Sequence, residues 1–101
     1  MNKPRVVKDY EKLYDSVIQQ IKLQYPRGFE DHLVKFVNGE GKNVSALPFE
    51  TDEVYYLVRM TILEAQGIID DDEDYNDEGL LRDDVREEYE ENLEDEEELD
   101  K

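Results

Sequence analysis

The run Val54-Tyr55-Tyr56-Leu57-Val58-Arg59-Met60-Thr61-Ile62-Leu63-Glu64-Ala65-Gln66-Gly67-Ile68-Ile69 is the longest apolar-rich region of the 101-residue chain, and the fold is read outward from it. Its first half is dense in β-branched and aromatic residues and free of Gly and Pro, which predicts a strand. Tyr55 and Leu57 fall on one face and Tyr56, Val58 and Met60 on the other. With Arg59 the only charged member, both faces read as buried, as in a central strand. Thr61 followed by Glu64 is a capping-box pattern, in which two side chains satisfy two backbone N–H groups at a helix start. A helix is therefore expected from Thr61 to about Asp71 or Asp72, with Gly67 weakening its interior by about 1 kcal/mol relative to Ala.

Upstream, Tyr10, Leu13, Tyr14, Val17, Ile18 and Ile21 recur at three- and four-residue spacing, which predicts a first helix over Asp9–Tyr25. Glu11, Lys12, Asp15, Gln19 and Lys22 form its polar face. Pro26 and Gly28 end it, and Phe29 reads as a plug over one end of the core. The basic arm before it, with Lys3, Arg5 and Lys8, reads as frayed. Leu33 to Val37 and Asn43 to Phe49 read as strands joined through Asn38-Gly39-Glu40-Gly41-Lys42, a strong hairpin signal. Pro48 lacks an N–H and marks an edge or a bulge. The expected fold is α+β: an N-terminal helix, a three-stranded mainly antiparallel sheet, a second helix, and an acidic C-terminal segment partly helical or disordered. Sequential pairing would put the middle strand at the centre, in conflict with the doubly apolar third strand; either that strand is central by non-sequential pairing or helices cover both its faces.

Charge divides the chain more sharply than any other property. Residues 70–101 hold 19 of the 29 Asp and Glu and only three basic residues, for a net charge of −16, whereas residues 1–69 sum to −1. The expected organisation is a small domain at 1–72 followed by an acidic extension at 73–101. Within the extension, Leu81, Val85, Tyr89 and Leu93 are four apart and make a thin apolar helical stripe able to dock on the domain. Glu94 to Lys101 holds too few apolar groups for order to be expected.

Such a balance argues against direct binding of nucleic acid, which relies on Lys and Arg displacing counterions, and against anionic membrane surfaces. It attracts basic proteins and, weakly and diffusely, divalent cations. The chain has no cysteine, so thiol chemistry is excluded. No run reaches the length of a membrane span and no secretory leader develops before Lys8 and Asp9, so a cytoplasmic location is expected.

Catalytic signals are weak. His32 is the only histidine, and neither Ser16 nor Ser45 lies in a nucleophile turn. The series Asp74, Asn76, Glu78 with Gly79 resembles the start of a calcium loop, but the position needing a bidentate carboxylate is Val85. No catalytic residue, cofactor or metal ligand is assigned. The candidate interaction residues are Tyr55, Tyr56 and Arg59 in the domain, and Tyr75, Leu81, Val85 and Tyr89 in the acidic segment. Together these predict a non-enzymatic protein-interaction module whose acidic tail speeds encounter with a basic partner. The alternatives are an acidic mimic of nucleic acid acting on a nucleic-acid-binding enzyme, and a tail that covers the basic arm from Lys3 to Lys12.

Overall fold

The computed structural model describes residues 3–99, with side chains described through 93. Its element order corrects the expected one at the start. Arg5–Asp9 is a strand, β1, running parallel to the organising strand β4 (Tyr55–Arg59), with Val6 opposite Tyr56 and Lys8 opposite Val58. Nothing local in Arg5-Val6-Val7-Lys8-Asp9 distinguishes this strand from a frayed arm, because its partner lies 50 residues downstream and the pairing alone stabilises it. The sheet consequently has four strands and is mixed, in the order β1-β4-β3-β2, with β2 at Val34–Val37 and β3 at Asn43–Glu50 in an antiparallel hairpin. β4 is central by non-sequential pairing, which resolves the conflict over its apolar character.

The first helix also begins later than its periodicity indicates. After a single 3-10 turn at Tyr10–Lys12, Leu13 and Tyr14 are extended, and α1 occupies Asp15–Gln24. The chain must leave β1 and cross the end of the sheet before a helix can lie on it. Tyr14, placed by spacing on the apolar stripe, is consequently 77% exposed. Pro48 sits beyond the end of β2, which pairs only as far as Ala46, so the missing N–H faces no strand.

α2 spans Ile62–Asp71 behind the expected capping box: Glu64 N–H donates to Thr61 Oγ1 at 3.1 Å, and Thr61 N–H donates to Glu64 Oε1 at 3.0 Å. α3 spans Asp83–Leu99, so the helix runs beyond Leu93. Among the described residues, three helices and a mixed four-stranded sheet that begins with a strand replace the expected N-terminal helix, three-stranded mainly antiparallel sheet, second helix and partly helical or disordered acidic segment.

The core lies between the helices and one face of the sheet. Ile21 from α1, Leu47 from β3, Val58 from β4 and Phe29 from the intervening loop are fully buried. Phe29 is the expected plug, its ring meeting Tyr10 at 5.8 Å and the edges of Tyr25 and Tyr75 at 6.3 and 6.2 Å. Strand register assigns Val6, Tyr56, Val58, Leu47 and Phe49 to this covered face. Arg5, Val7, Asp9, Tyr55, Leu57, Arg59, Val44, Ala46, Pro48, Glu50, Val34 and Phe36 alternate with them and lie on the opposite face. No helix covers that second face among the described residues: α1 and α2 contribute Ile21, Ala65 and Ile69 to the core on the first.

Candidate interaction surface

Between α2 and α3, the segment from Asp72 to Arg82 is acidic in composition yet tightly held. Asp72 Oδ1 accepts from the Asp74 N–H at 2.9 Å, and Asn76 Oδ1 accepts from the Glu78 and Leu80 N–H groups at 2.9 and 3.0 Å. Short Asx side chains that close turns on their own backbone suit such a path. Gly79 takes φ +79°, a conformation that side chains other than glycine's resist. Tyr75 and Leu81 pair across this loop and are both core residues, 6% and 7% exposed. The Tyr75 hydroxyl donates to the Tyr25 carbonyl at 3.0 Å, and the Leu81 N–H donates to the Pro26 carbonyl at 2.7 Å.

A buried ionic latch lies next to them. Lys22, assigned by its spacing to the polar face of α1, is only 7% exposed. Its Nζ lies 2.6 Å from Asp72 Oδ2 and 2.7 Å from Asp74 Oδ2. The Tyr89 hydroxyl, one turn into α3 from Val85, donates to the same Asp74 oxygen, and Lys22 Nζ stands 5.9 Å from the centroid of the Tyr89 ring. Burial by itself would lower the Lys22 pKa, but the hydrogen bonds to Asp72 and Asp74 outweigh it and hold the ammonium well above its ordinary value. Burial likewise opposes ionisation of Asp74, and the bonds from Lys22 and Tyr89 reverse that effect, so its carboxyl is held below the usual range. Tyr89 is pushed up to about 12, by burial first and then by its bond to the Asp74 carboxylate. Tyr10, whose buried hydroxyl has no hydrogen-bond partner among the described residues, is also pushed up to about 12 by burial.

The latch aims α3. Val85 and Tyr89 are half-buried, Val85 packs against the core, and Asn92 Nδ2 donates to Gln19 Oε1 on α1 at 3.2 Å. Positions 85, 89 and 92 thus make one docked stripe. Asp83, Asp84, Glu87, Glu88, Glu90 and Glu91 are all exposed. Arg82 pairs with Asp84 at 2.9 Å and Arg86 with Asp83 at 3.2 Å, while Glu87, Glu88 and Glu91 have no ion-pair partner among the described residues.

The seven candidate interaction residues therefore separate into three groups. Tyr75, Leu81, Val85 and Tyr89 come together around the latch and hold α3. Tyr56 is on the covered sheet face, stacked on Phe49 at 6.2 Å. Tyr55 and Arg59 are on the uncovered face, Tyr55 beneath the Arg5 guanidinium at 5.8 Å and Arg59 paired with Asp9 at 2.9 Å. Lys3 of the basic arm is bound to Glu50 and to the Thr51 carbonyl.

Lys22, Asp72 and Asp74 are the members that sequence reasoning missed. Lys22 falls at the fourth position after Ile18, beside Ile21 and three before Tyr25, and this spacing within the apolar stripe is the signal for its burial. His32 is exposed, in a 3-10 turn against the Tyr25 ring at 4.9 Å, and Ser45 Oγ donates to the Met60 carbonyl at 2.6 Å. Among the described residues no three His, Asp or Glu side chains form a group able to hold a metal ion, and no helix is long and apolar enough to cross a membrane. No protein-family model, no curated protein and no solved structure matches the chain.

Proposed function

We propose that this is a non-enzymatic, cytoplasmic protein-interaction module that presents an acidic helix to a basic protein partner. The observation that carries the reading is the latched α3, whose docked stripe at Val85, Tyr89 and Asn92 leaves the carboxylates of Asp83, Glu87, Glu90 and Glu91 directed away from α1. A charged helix fixed to a folded core gives a partner a defined geometry as well as long-range attraction, which favours rapid and orientated encounter. Divalent cations would collect around it only as a diffuse atmosphere.

A narrower version concerns partners that themselves bind nucleic acid. Over residues 83–93 α3 carries six carboxylates against one arginine, along about 17 Å at 1.5 Å per residue. That is one net charge per ~3.3 Å, close to the ~3.4 Å of one DNA strand. A basic groove shaped for a phosphate backbone would accept such a rod.

The test compares the full chain with its E87Q/E88Q/E90Q/E91Q variant in capture of proteins from the native cell extract, at low and at physiological salt. The reading expects a partner that the variant loses and that salt weakens, with DNA competing for it if the partner is a nucleic-acid binder. Equal capture by both proteins at both salts would refute it.

A further inference from the structure

We infer that the free edge of β1 takes up an extended, acidic segment of a partner protein as a fifth strand of the sheet. The backbone is the first ground. β1 stands at one end of the order β1-β4-β3-β2. The Tyr55 N–H donates to the Pro4 carbonyl at 3.0 Å, so in the register that sets Arg5 beside Tyr55 the bonds to β4 are made by Pro4, Val6 and Lys8. The N–H groups of Arg5, Val7 and Asp9 and the carbonyls of Arg5 and Val7 therefore point out of the sheet, and none has a partner among the described residues. The Arg5, Val7 and Lys8 side chains along this edge are all exposed. A row of unpaired donors and acceptors at strand spacing is a template for one kind of ligand, another extended backbone.

Charge selects which one. Lys3, Arg5, Lys8 and Lys12 against Asp9 and Glu11 give residues 3–12 a net charge of +2 in a chain of −17. Asp9 is already neutralised by Arg59, and Lys3 is bound to Glu50. Lys8 and Lys12 are exposed and Arg5 lies over the Tyr55 ring, and none of the three has a carboxylate partner among the described residues. Lysines on an edge turn away neutral and basic strands, and the same cations attract an acidic one; the difference between the two is the specificity. A second copy of β1 is disfavoured, because two segments of the same sign would lie side by side. Nor do the chain's own carboxylates supply the strand: residues 83–99 are helical, and Asp72 and Asn76 close the segment before them into turns.

Alternation sets the pattern that would be read. Arg5 and Val7 lie on the sheet face that no helix covers, and Lys8 lies with Val6 on the other. An antiparallel strand, the more stable pairing per residue, places carboxylates opposite Arg5 and Lys8 and a β-branched residue opposite Val7. Read along the partner, the order is Glu-Val-x-Glu. This partner is opposite in sign to the one that α3 attracts, so the two surfaces stand or fall separately.

The test is titration of the full chain with the capped peptide Thr-Glu-Val-Thr-Glu-Asp-Glu, followed by amide chemical shifts at about 20 mM and about 300 mM NaCl. Two control peptides accompany it: one with Pro in place of Val, which keeps the charge and loses an N–H of the new ladder, and one with Lys in place of every acidic residue. The expected result is saturable shifts centred on Arg5, Val7 and Asp9, with slowed exchange of those three amides and weaker binding at the higher salt. Affinity should fall about tenfold for the Pro peptide and for an R5Q/K8Q variant, and the Lys peptide should not bind. No shift at about 2 mM peptide, equal binding of either control, or shifts centred on Lys35 and Val37 at the β2 edge would each overturn the inference. The shift map is read on the unmodified chain, so it decides the matter even if the variant does not fold.

Discussion

Replacing Lys22 by Met tests whether the latch holds the acidic segment to the core. Methionine keeps most of the length and apolar volume of lysine but removes the charge shared by Asp72 and Asp74 at 2.6 and 2.7 Å. Removing one partner of a buried ion pair commonly costs about 3–5 kcal/mol, because the remaining charge is left desolvated. The Asp72 and Asp74 side chains keep 18% and 23% of their exposure, so water recovers part of that loss. The expected cost is about 2–3 kcal/mol, which for a domain of this size lowers Tm by about 10–20 °C. The assay is urea and thermal unfolding followed by far-ultraviolet circular dichroism and tyrosine fluorescence. A K22M/D72N/D74N variant, with no charge left in the cluster, should recover stability to within about 1 kcal/mol of the starting protein. A K22M cost below about 0.5 kcal/mol, or a triple variant no better than K22M, would refute the latch as the organising contact.

Three further outcomes follow from the same contacts. Asp74 is held below its ordinary pKa, so its stabilising contribution is complete above the unfolded value near 4 and disappears as pH falls through the folded one. Lys22 is raised, so its contribution is complete below about 10.4 and disappears as pH rises through its folded value; stability should be flat from about pH 5 to 9, and D74N should reduce the acid-side loss in pH-dependent urea melts. Phe29→Ala removes a fully buried ring touched by three others and should cost about 3–5 kcal/mol in urea unfolding, a cost under about 1 kcal/mol being incompatible with its place in the core. Gly67→Ala should stabilise by up to about 1 kcal/mol, since a Cβ there meets nothing within 4 Å and the position is mid-helix, and a lowered Tm would contradict that environment.

What was legible in the sequence was local. The capping box at Thr61 and Glu64, the hairpin turn at Asn38 to Lys42 and the breaker at Pro26 each act through residues a few positions apart, and each appears where its chemistry indicates. β1 was not legible, because Val6 and Val7 become a strand only through pairing with Tyr56 and Leu57. The late start of α1 has the same origin, since the route from β1 over the sheet overrides the periodicity that includes Tyr10 and Tyr14. The candidate surface was legible in part. The four-residue spacing of Val85 and Tyr89 identified the docked stripe of α3, but not the partner of Tyr89, and Leu81, counted on the same helical stripe, instead precedes the helix in its bridge to Tyr75. The spacing of Lys22 from Ile18 and Tyr25 carries a signal for its burial, but its partners, the carboxylates of Asp72 and Asp74 about 50 residues on, do not show in the sequence.

Amide hydrogen exchange across residues 72–93, in the full chain and in K22M, tests most directly that the acidic helix is held by the core. The account predicts that Tyr75 and Leu81 exchange as slowly as Val58, that the amides of α3 are protected from Arg86 to Tyr89, and that K22M loses the α3 protection before that of β4. Exchange of residues 83–93 at the rate of an unstructured chain, while β4 stays protected, would contradict it.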